Sequence, residues 1–243
     1  MTKPPIRINP ELDIAAAAAA YRRDGWVQIA DIFEGGTAEF LATMLETGID
    51  WDLAFQGEDG RPAVLNREQV LAQGDAALQQ RLRGLMTRAG SEYGFLYLTY
   101  PLITAYLTKR DPGHPVHALT EFLNDTFVRL GVAVTGHQDI VKADGQLTRY
   151  RPGDFIGLHN DVGSEVSDRL VAYTLGLTRA WRADWGGQLL FHDAAGDVIR
   201  GHAPRWNTLT LFAVPQQHSV APVAAYAQSP RLSVVGWMRN AGR

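Results

Sequence analysis

The sequence predicts an α+β chain in which a mainly helical first half supports an all-β sandwich or barrel. Two observations carry this. From Val132 onward the chain breaks into short β-like runs separated by Gly, Asp and Pro, near 133–142, 146–151, 155–159, 169–177, 187–192, 197–202, 207–214, 217–223 and 231–239. So many short strands with turn residues between them argue for a closed or stacked β architecture. Before that point the apolar residues recur mostly at helical spacing. With 243 residues and 46% hydrophobic content, the chain can bury one full core. Neither an internal repeat nor a linker marks a boundary, so 1–243 reads as a single domain, 1–131 as helical support and 132–240 as β core.

Pro10 to Arg23 is an Ala-rich helix stopped by Gly25, and Trp26 to Phe33 alternates like a strand. Thr37 is placed to cap a second helix to about Thr47, with Phe40, Leu41, Met44 and Leu45 on its buried side. Ile49 to Pro62, with Gly57, Asp59, Gly60 and Pro62, reads as a mobile surface loop able to cover a site. A charged helix spans about Arg67 to Arg88, the aromatic run Tyr93 to Tyr100 ends at Pro101, and Val116 to Leu130 is a helix closed by Gly131.

Composition excludes several function classes. A net charge of -3 offers no basic field for nucleic acid, and no stretch approaches a membrane span. Ala15 to Ala20 follows acidic residues and leads into Tyr21-Arg-Arg, which suits a helix better than a secretory signal, so a cytoplasmic location is expected. With no cysteine, a bound metal must sit on His, Asp or Glu.

Two His-x-Asp pairs compete for that role, His137-Gln-Asp139 and His159-Asn-Asp161. The second ends a strand and enters a polar break, Asn160 to Asp168, which lets both side chains turn toward one point. The first begins a continuing strand and reads as a hydrogen-bonded pair. Two histidines and a carboxylate can take one face of an octahedral Fe(II) ion and leave the other positions open. His218, just beyond the strand 207–213, is the histidine available to complete such a set. His114, His117, His192 and His202 read as structural residues in turns.

Arg231 opens the otherwise apolar strand Arg231 to Arg239, where Arg231, Ser233, Val235 and Trp237 share a face. Its guanidinium offers a two-pronged donor to a carboxylate. A metal and an arginine in one pocket suit a dianion chelated at one end and ion-paired at the other, which describes 2-oxoglutarate.

Taken together, Tyr150-x-x-Gly-Asp, His159-x-Asp161, Arg169 opening a strand, Trp185-Gly186-Gly187-Gln-Leu189, Asn207-Thr-Leu-Thr-Leu-Phe212, His218-Ser-Val-x-Pro-Val223 and Arg231-x-Ser233-x-x-Gly236-Trp237 resemble the Fe(II)/2-oxoglutarate-dependent dioxygenases. Within them the likeness is to the prolyl 4-hydroxylase-like branch, over about residues 140 to 240. The resemblance implies a double-stranded β-helix, a jelly-roll or cupin-like barrel buttressed by N-terminal helices. It implies Fe(II) on His159, Asp161 and His218, with 2-oxoglutarate and O2 as co-substrates and ascorbate as a supporting reductant. It further implies that Arg231 binds the distal carboxylate, that Tyr150 lines the co-substrate pocket, and that Leu189 and Trp237 form its walls. Gly176 stands where relatives often carry a tyrosine, which leaves Thr174 or Ser233 to supply the second hydroxyl. Gly186-Gly187 reads as a tight turn.

The implied reaction is hydroxylation of an unactivated C–H bond, in a prolyl residue of a protein or peptide or, alternatively, in a free amino acid or other small molecule. Asn160, Arg149, Trp181 and Arg239 are near enough in sequence to meet substrate. A homodimer is left open. A non-catalytic cupin-like metal-binding protein and a zinc hydrolase are the rival classes; the second has no need of Arg231.

Overall fold

The computed structural model describes residues 6–162 and 169–241. Part of the polar break after His159, residues 163–168, thus lies outside the described residues.

Helix α1 (Ile14–Asp24) starts where the Asp13 carboxylate accepts from the Ala16 N–H at 2.8 Å and stops at Gly25, as the sequence predicts. Strand β1 (Trp26–Ile29) is shorter than its alternating pattern. Helix α2 (Gly35–Thr43) begins two residues before Thr37 and widens into a π turn, Met44–Gly48. Thr37 is therefore no cap: its Oγ1 accepts from the Arg7 N–H at 3.2 Å.

Residues 49–62 are not a surface loop. Strand β2 (Asp52–Gln56) is buried along its whole length and forms a hairpin with β3 (Pro62–Leu65). It also pairs with β4 (Phe95–Pro101), which the aromatic run supplies. The turn residues Gly57, Asp59 and Gly60 mark only the hairpin tip. The charged helix is split by Gly74 into α3 (Arg67–Gln73) and α4 (Asp75–Arg88).

Helices α5 (Leu102–Leu107), α6 (His117–Phe122) and α7 (Val128–Thr135) follow, with a π turn joining the last two. The chain stays helical past Gly131, and Gly136 is the left-handed stop. Gly131 is a packing residue, since a Cβ there would sit 2.2 Å from the Met238 sulfur. The strand expected over 133–142 is therefore absent.

The remaining strands are β5 (Lys142–Ala143), β6 (Gln146–Tyr150), β7 (Phe155–His159), β8 (Arg169–Gly176), β9 (Leu189–His192), β10 (Val198–His202), β11 (Thr208–Ala213), β12 (His218–Val220) and β13 (Arg231–Arg239). They pair antiparallel in the order β1-β11-β8-β13-β6-β4-β7-β12-β9-β10, with β2 and β3 added beside β4. This curled sheet, with helices against it, is a double-stranded β-helix. Strand β4 joins its halves by pairing with both β6 and β7. Four strands thus come from the first 131 residues, which are less purely helical than their patterning suggests.

Period-two alternation decides which side chains face the helices. Val171, Tyr173 and Leu175 of β8 join Leu209 and Leu211 of β11 and Leu232 and Val234 of β13 in one core with Leu41, Leu45, Leu119, Leu123 and Phe127. Each fully buried aliphatic chain is worth roughly 1.5–3 kcal/mol. The alternate residues Thr174, Gly176, Thr208, Thr210, Phe212, Arg231, Val235 and Trp237 face inward and border the interior cavities. A one-residue slip would exchange the two sets, so the helix-side core holds the inner face in register.

Candidate active site

The His159 side chain ends β7 and lies opposite His218, the first residue of β12, in the strand pairing. Their ring centroids are 4.0 Å apart. Asp161 takes a left-handed backbone conformation, φ 63°, which turns its carboxylate back toward both rings. Asp161 Oδ1 lies 3.5 Å from His159 Nε2 and Oδ2 lies 3.4 Å from His218 Nε2. One ligand atom from each residue lies within 4.8 Å of the others, and among the described residues this is the group able to hold a metal.

The tautomers suit a metal. His159 Nδ1 is 2.9 Å from the Gly157 carbonyl oxygen and His218 Nδ1 is 2.7 Å from that of Gln216. A carbonyl only accepts, so each Nδ1 carries the hydrogen and each Nε2 presents its lone pair to the common point. Burial, helped by the neighbouring His159, lowers His218 to about 4, so it is neutral near pH 7.

Arg231 lies across the same cavity, a space of about 820 Å³ lined also by Tyr150, Thr174, Leu189, Trp237 and the three residues above. The arginine is 5% exposed. Its guanidinium carbon is 5.0 Å from the Tyr150 ring centroid, and Nη1 is buried without a hydrogen-bond partner. Among the described residues it forms no ion pair. Burial pulls its pKa below the ordinary value, and an uncompensated buried cation costs several kcal/mol. The donor set and the orphaned guanidinium together fit a metal and a carboxylate-bearing ligand.

The local packing supports that arginine. Tyr150 stacks on Tyr97 with centroids 5.2 Å apart, and burial raises its hydroxyl pKa well above the ordinary value. The Gly186-Gly187 pair does more than turn the chain. At Gly186, φ 71°, a Cβ would lie 2.0 Å from the Pro222 carbonyl oxygen; at Gly187 one would lie 3.1 Å from Trp181 and 3.7 Å from Arg231 Cδ. Gly186 admits the Pro222 carbonyl, and Gly187 lets Trp181 pack closely beside the Arg231 stem.

Other expectations are sorted by the geometry. Ser233 is not in the cavity lining: its hydroxyl is 2.8 Å from Thr148 Oγ1, a bond within the sheet. Thr174 is the hydroxyl that faces the cavity. Of the four residues expected near substrate, Asn160 borders this cavity and Arg149 does not. Trp181 bonds the Gly186 carbonyl oxygen at 3.0 Å, and Arg239 pairs with Asp144 at 2.6 Å beside a neighbouring cavity. His137 and Asp139 lie in the loop after α7, outside any strand and away from the cluster. His114 and His117 bond main-chain carbonyl oxygens, of Gly48 at 3.0 Å and Arg110 at 2.8 Å. His192 and His202 end strands rather than lying in turns.

Sequence reasoning gave no site role to Arg169 or to the aromatic run before Pro101. Arg169 Nη1 donates to the Asp161 carbonyl oxygen at 2.9 Å while its guanidinium carbon lies 3.8 Å from the Trp237 ring centroid. Tyr93, Phe95 and Tyr97 also line the cavity, and Tyr93 is 5.8 Å from the His159 ring. Their alternate spacing was the available signal, because residues two apart on a strand share a face.

A double-stranded β-helix with this donor set and an orphaned inward arginine defines the non-haem iron oxygenase class. Residues 145–239 match the family model of the 2OG-Fe(II) oxygenase superfamily. The chain carries such a domain and is an enzyme that uses Fe(II), 2-oxoglutarate and dioxygen. No curated protein sequence matches it.

Solved structures share the fold. A Pseudomonas putida prolyl-4-hydroxylase is 21% identical with a TM-score of 0.59, over 94% of this chain and 100% of its own. A Burkholderia pseudomallei oxidoreductase of the 2OG-Fe(II) oxygenase family is 16% identical with a TM-score of 0.62, over 100% and 99%. A Trichoplax adhaerens prolyl hydroxylase, in complex with an oxygen degradation domain peptide fragment of hypoxia inducible factor, is 13% identical with a TM-score of 0.61, over 93% and 89%. Among the described residues, no helix is long and apolar enough to cross a membrane.

Proposed function

We propose that the chain acts as a single domain that hydroxylates a prolyl residue in a protein or peptide. His159, Asp161 and His218 hold the iron, and Arg231 binds the distal carboxylate of 2-oxoglutarate. The observation that carries this reading is that the three-residue cluster and the unpartnered Arg231 border one cavity. Bound iron with 2-oxoglutarate and dioxygen supplies the oxidising power for attack on a C–H bond. The protein's part is orientation. The Gly157 and Gln216 carbonyls hold both imidazoles in the ligating tautomer, and Arg169 braces the Asp161 main chain. Tyr150 and Leu189 wall the co-substrate end, with Thr174 as its hydroxyl donor.

The prolyl reading rests on the rest of the cavity. Besides Arg231 and the cluster, its lining includes Tyr93, Trp237 and Ile156, Pro62 and Val64 of the β2–β3 hairpin and Ile103 beyond β4. Aromatic and aliphatic walls suit a pyrrolidine ring, and an open cavity lined in part by a hairpin suits an extended chain. Two of the fold relatives described above are prolyl hydroxylases, one with a peptide bound.

The test has two stages. Under anaerobic conditions, Fe(II) and 2-oxoglutarate should give a visible charge-transfer band, absent in His159→Ala and requiring much more 2-oxoglutarate in Arg231→Ala. Proline-containing peptides should then stimulate succinate release and gain the mass of one oxygen atom. Stimulation by free amino acids but not peptides would replace the peptide assignment with the small-molecule one.

A further inference from the structure

Arg231 also borders a second, small and partly open space of about 20 Å³. Thr174, Leu189 and Arg231 border both this space and the main cavity. The other walls come from β1, β8, β10 and β11 and include Gln28, Thr178, His202, Thr208 and Thr210. Its size admits about one water molecule, and several polar side chains border it although most of the lining area is apolar.

Most of those polar groups are already engaged. Thr178 Oγ1 bonds the main chain of Leu232 as donor and acceptor, Thr208 Oγ1 donates to the Trp206 carbonyl oxygen, and Thr210 Oγ1 accepts from Gln28 Nε2. Two buried nitrogens are not engaged: Arg231 Nη1 and His202 Nε2. Each belongs to a side chain 5% exposed. A structural core histidine ordinarily has its ring nitrogens satisfied, because an unmet buried donor costs roughly 1–3 kcal/mol. Here the ring is held firmly, 4.8 Å from Trp26 and 5.4 Å from Phe191 between centroids, and the nitrogen still has no partner.

We infer that His202 is a second donor to the distal carboxylate of 2-oxoglutarate, acting beside Arg231 across this small space, directly or through one bridging water. This rests on the assignment of Arg231 to that carboxylate. Burial, with Arg200 and Arg205 nearby, keeps the imidazole neutral at physiological pH, with a single N–H to give. The placement opposite Leu189 in the β9–β10 pairing puts the ring where the co-substrate wall ends. His202 thus adds a neutral donor to a cationic one, which favours an oxo acid with a second carboxylate over one without.

The test compares 2-oxoglutarate with 2-oxopentanoate, which has the same chain length and no distal carboxylate, by calorimetry on the anaerobic Fe(II) enzyme. His202→Phe keeps the ring contacts with Trp26 and Phe191 and removes the N–H. It should weaken 2-oxoglutarate by about tenfold, the scale of one hydrogen bond to a charged acceptor, and leave 2-oxopentanoate unchanged. His202→Gln, which restores an N–H, should recover much of the loss. Equal weakening of both acids, or none, would make His202 a packing residue and overturn the inference. If wild type itself failed to prefer 2-oxoglutarate, the Arg231 assignment would fall first and take the inference with it.

Discussion

Arg169 and Trp237, at the outer ends of neighbouring strands, lie with the guanidinium carbon 3.8 Å from the ring centroid, and the same arginine donates to the main chain of Asp161. One side chain therefore ties the metal-side loop to the strand that carries Arg231. Removing it should loosen the left-handed turn at Asp161. We expect Arg169→Leu to weaken Fe(II) or Mn(II) binding by about 10–100-fold, the range for partners that orient ligands. Metal titration followed by tryptophan fluorescence measures this. Unchanged affinity would confine Arg169 to substrate contact or packing.

Arg231 should show a conflict between stability and binding. A buried cation without an acidic partner destabilises the ligand-free protein, whereas an apolar chain of similar length would not. Arg231→Met should therefore unfold at a higher temperature than wild type without ligand, by about 1–2 kcal/mol of stability. With 2-oxoglutarate at about 100 times its Kd the order should reverse, because wild type gains about 2.7 kcal/mol and the variant almost nothing. Calorimetric melting with and without the acid decides the matter.

His202 makes stability depend on pH. Burial lowers its pKa from the unfolded value of 6.5 to about 4. As pH falls through this window the unfolded chain takes up a proton that the folded chain refuses, so stability drops. Above pH 6.5 both states are neutral and the contribution is constant. Urea unfolding between pH 7 and 4 should show a shallower decline for His202→Phe than for wild type. Parallel declines would show that the imidazole charges freely in the folded state.

Gly186→Ala should damage stability and co-substrate binding together. A Cβ there would meet the Pro222 carbonyl oxygen at 2.0 Å, and φ is 71°. The strain is worth about 1–3 kcal/mol, and relief requires movement of Gly187, which packs against Trp181 and the Arg231 stem. The melting temperature and 2-oxoglutarate affinity should both fall. A variant with normal affinity and a lower melting temperature would separate the turn from the pocket.

Much of this protein was legible in one dimension because the signals were local or periodic. Strands β6 to β11 and β13 follow from alternation and turn residues, and α1 from its acidic start and glycine stop. His159 and Asp161 stood out by spacing, and Arg231 as a charge at the head of an apolar strand. Where the local signal conflicted with packing, packing prevailed. The glycines and aspartate near the tip disguised β2 as a loop, yet pairing with β4 buries all five of its residues. Gly131 looked like a stop, but the surrounding helix needs it to admit Met238.

The sequence by itself determined which residue types and periodicities were available: two His-x-Asp pairs, a distant His218, an arginine on a strand, an inner and an outer face. Only the tertiary structure decided which of them meet. It chose His159 over His137, set Ser233 against Thr148 and left Thr174 in the cavity, and put His202 on the small space that Arg231 borders. The reason is physical. A side chain's role at a site depends on which strands pair and which way the sheet curls, and antiparallel pairing between residues many positions apart leaves no mark at any one position.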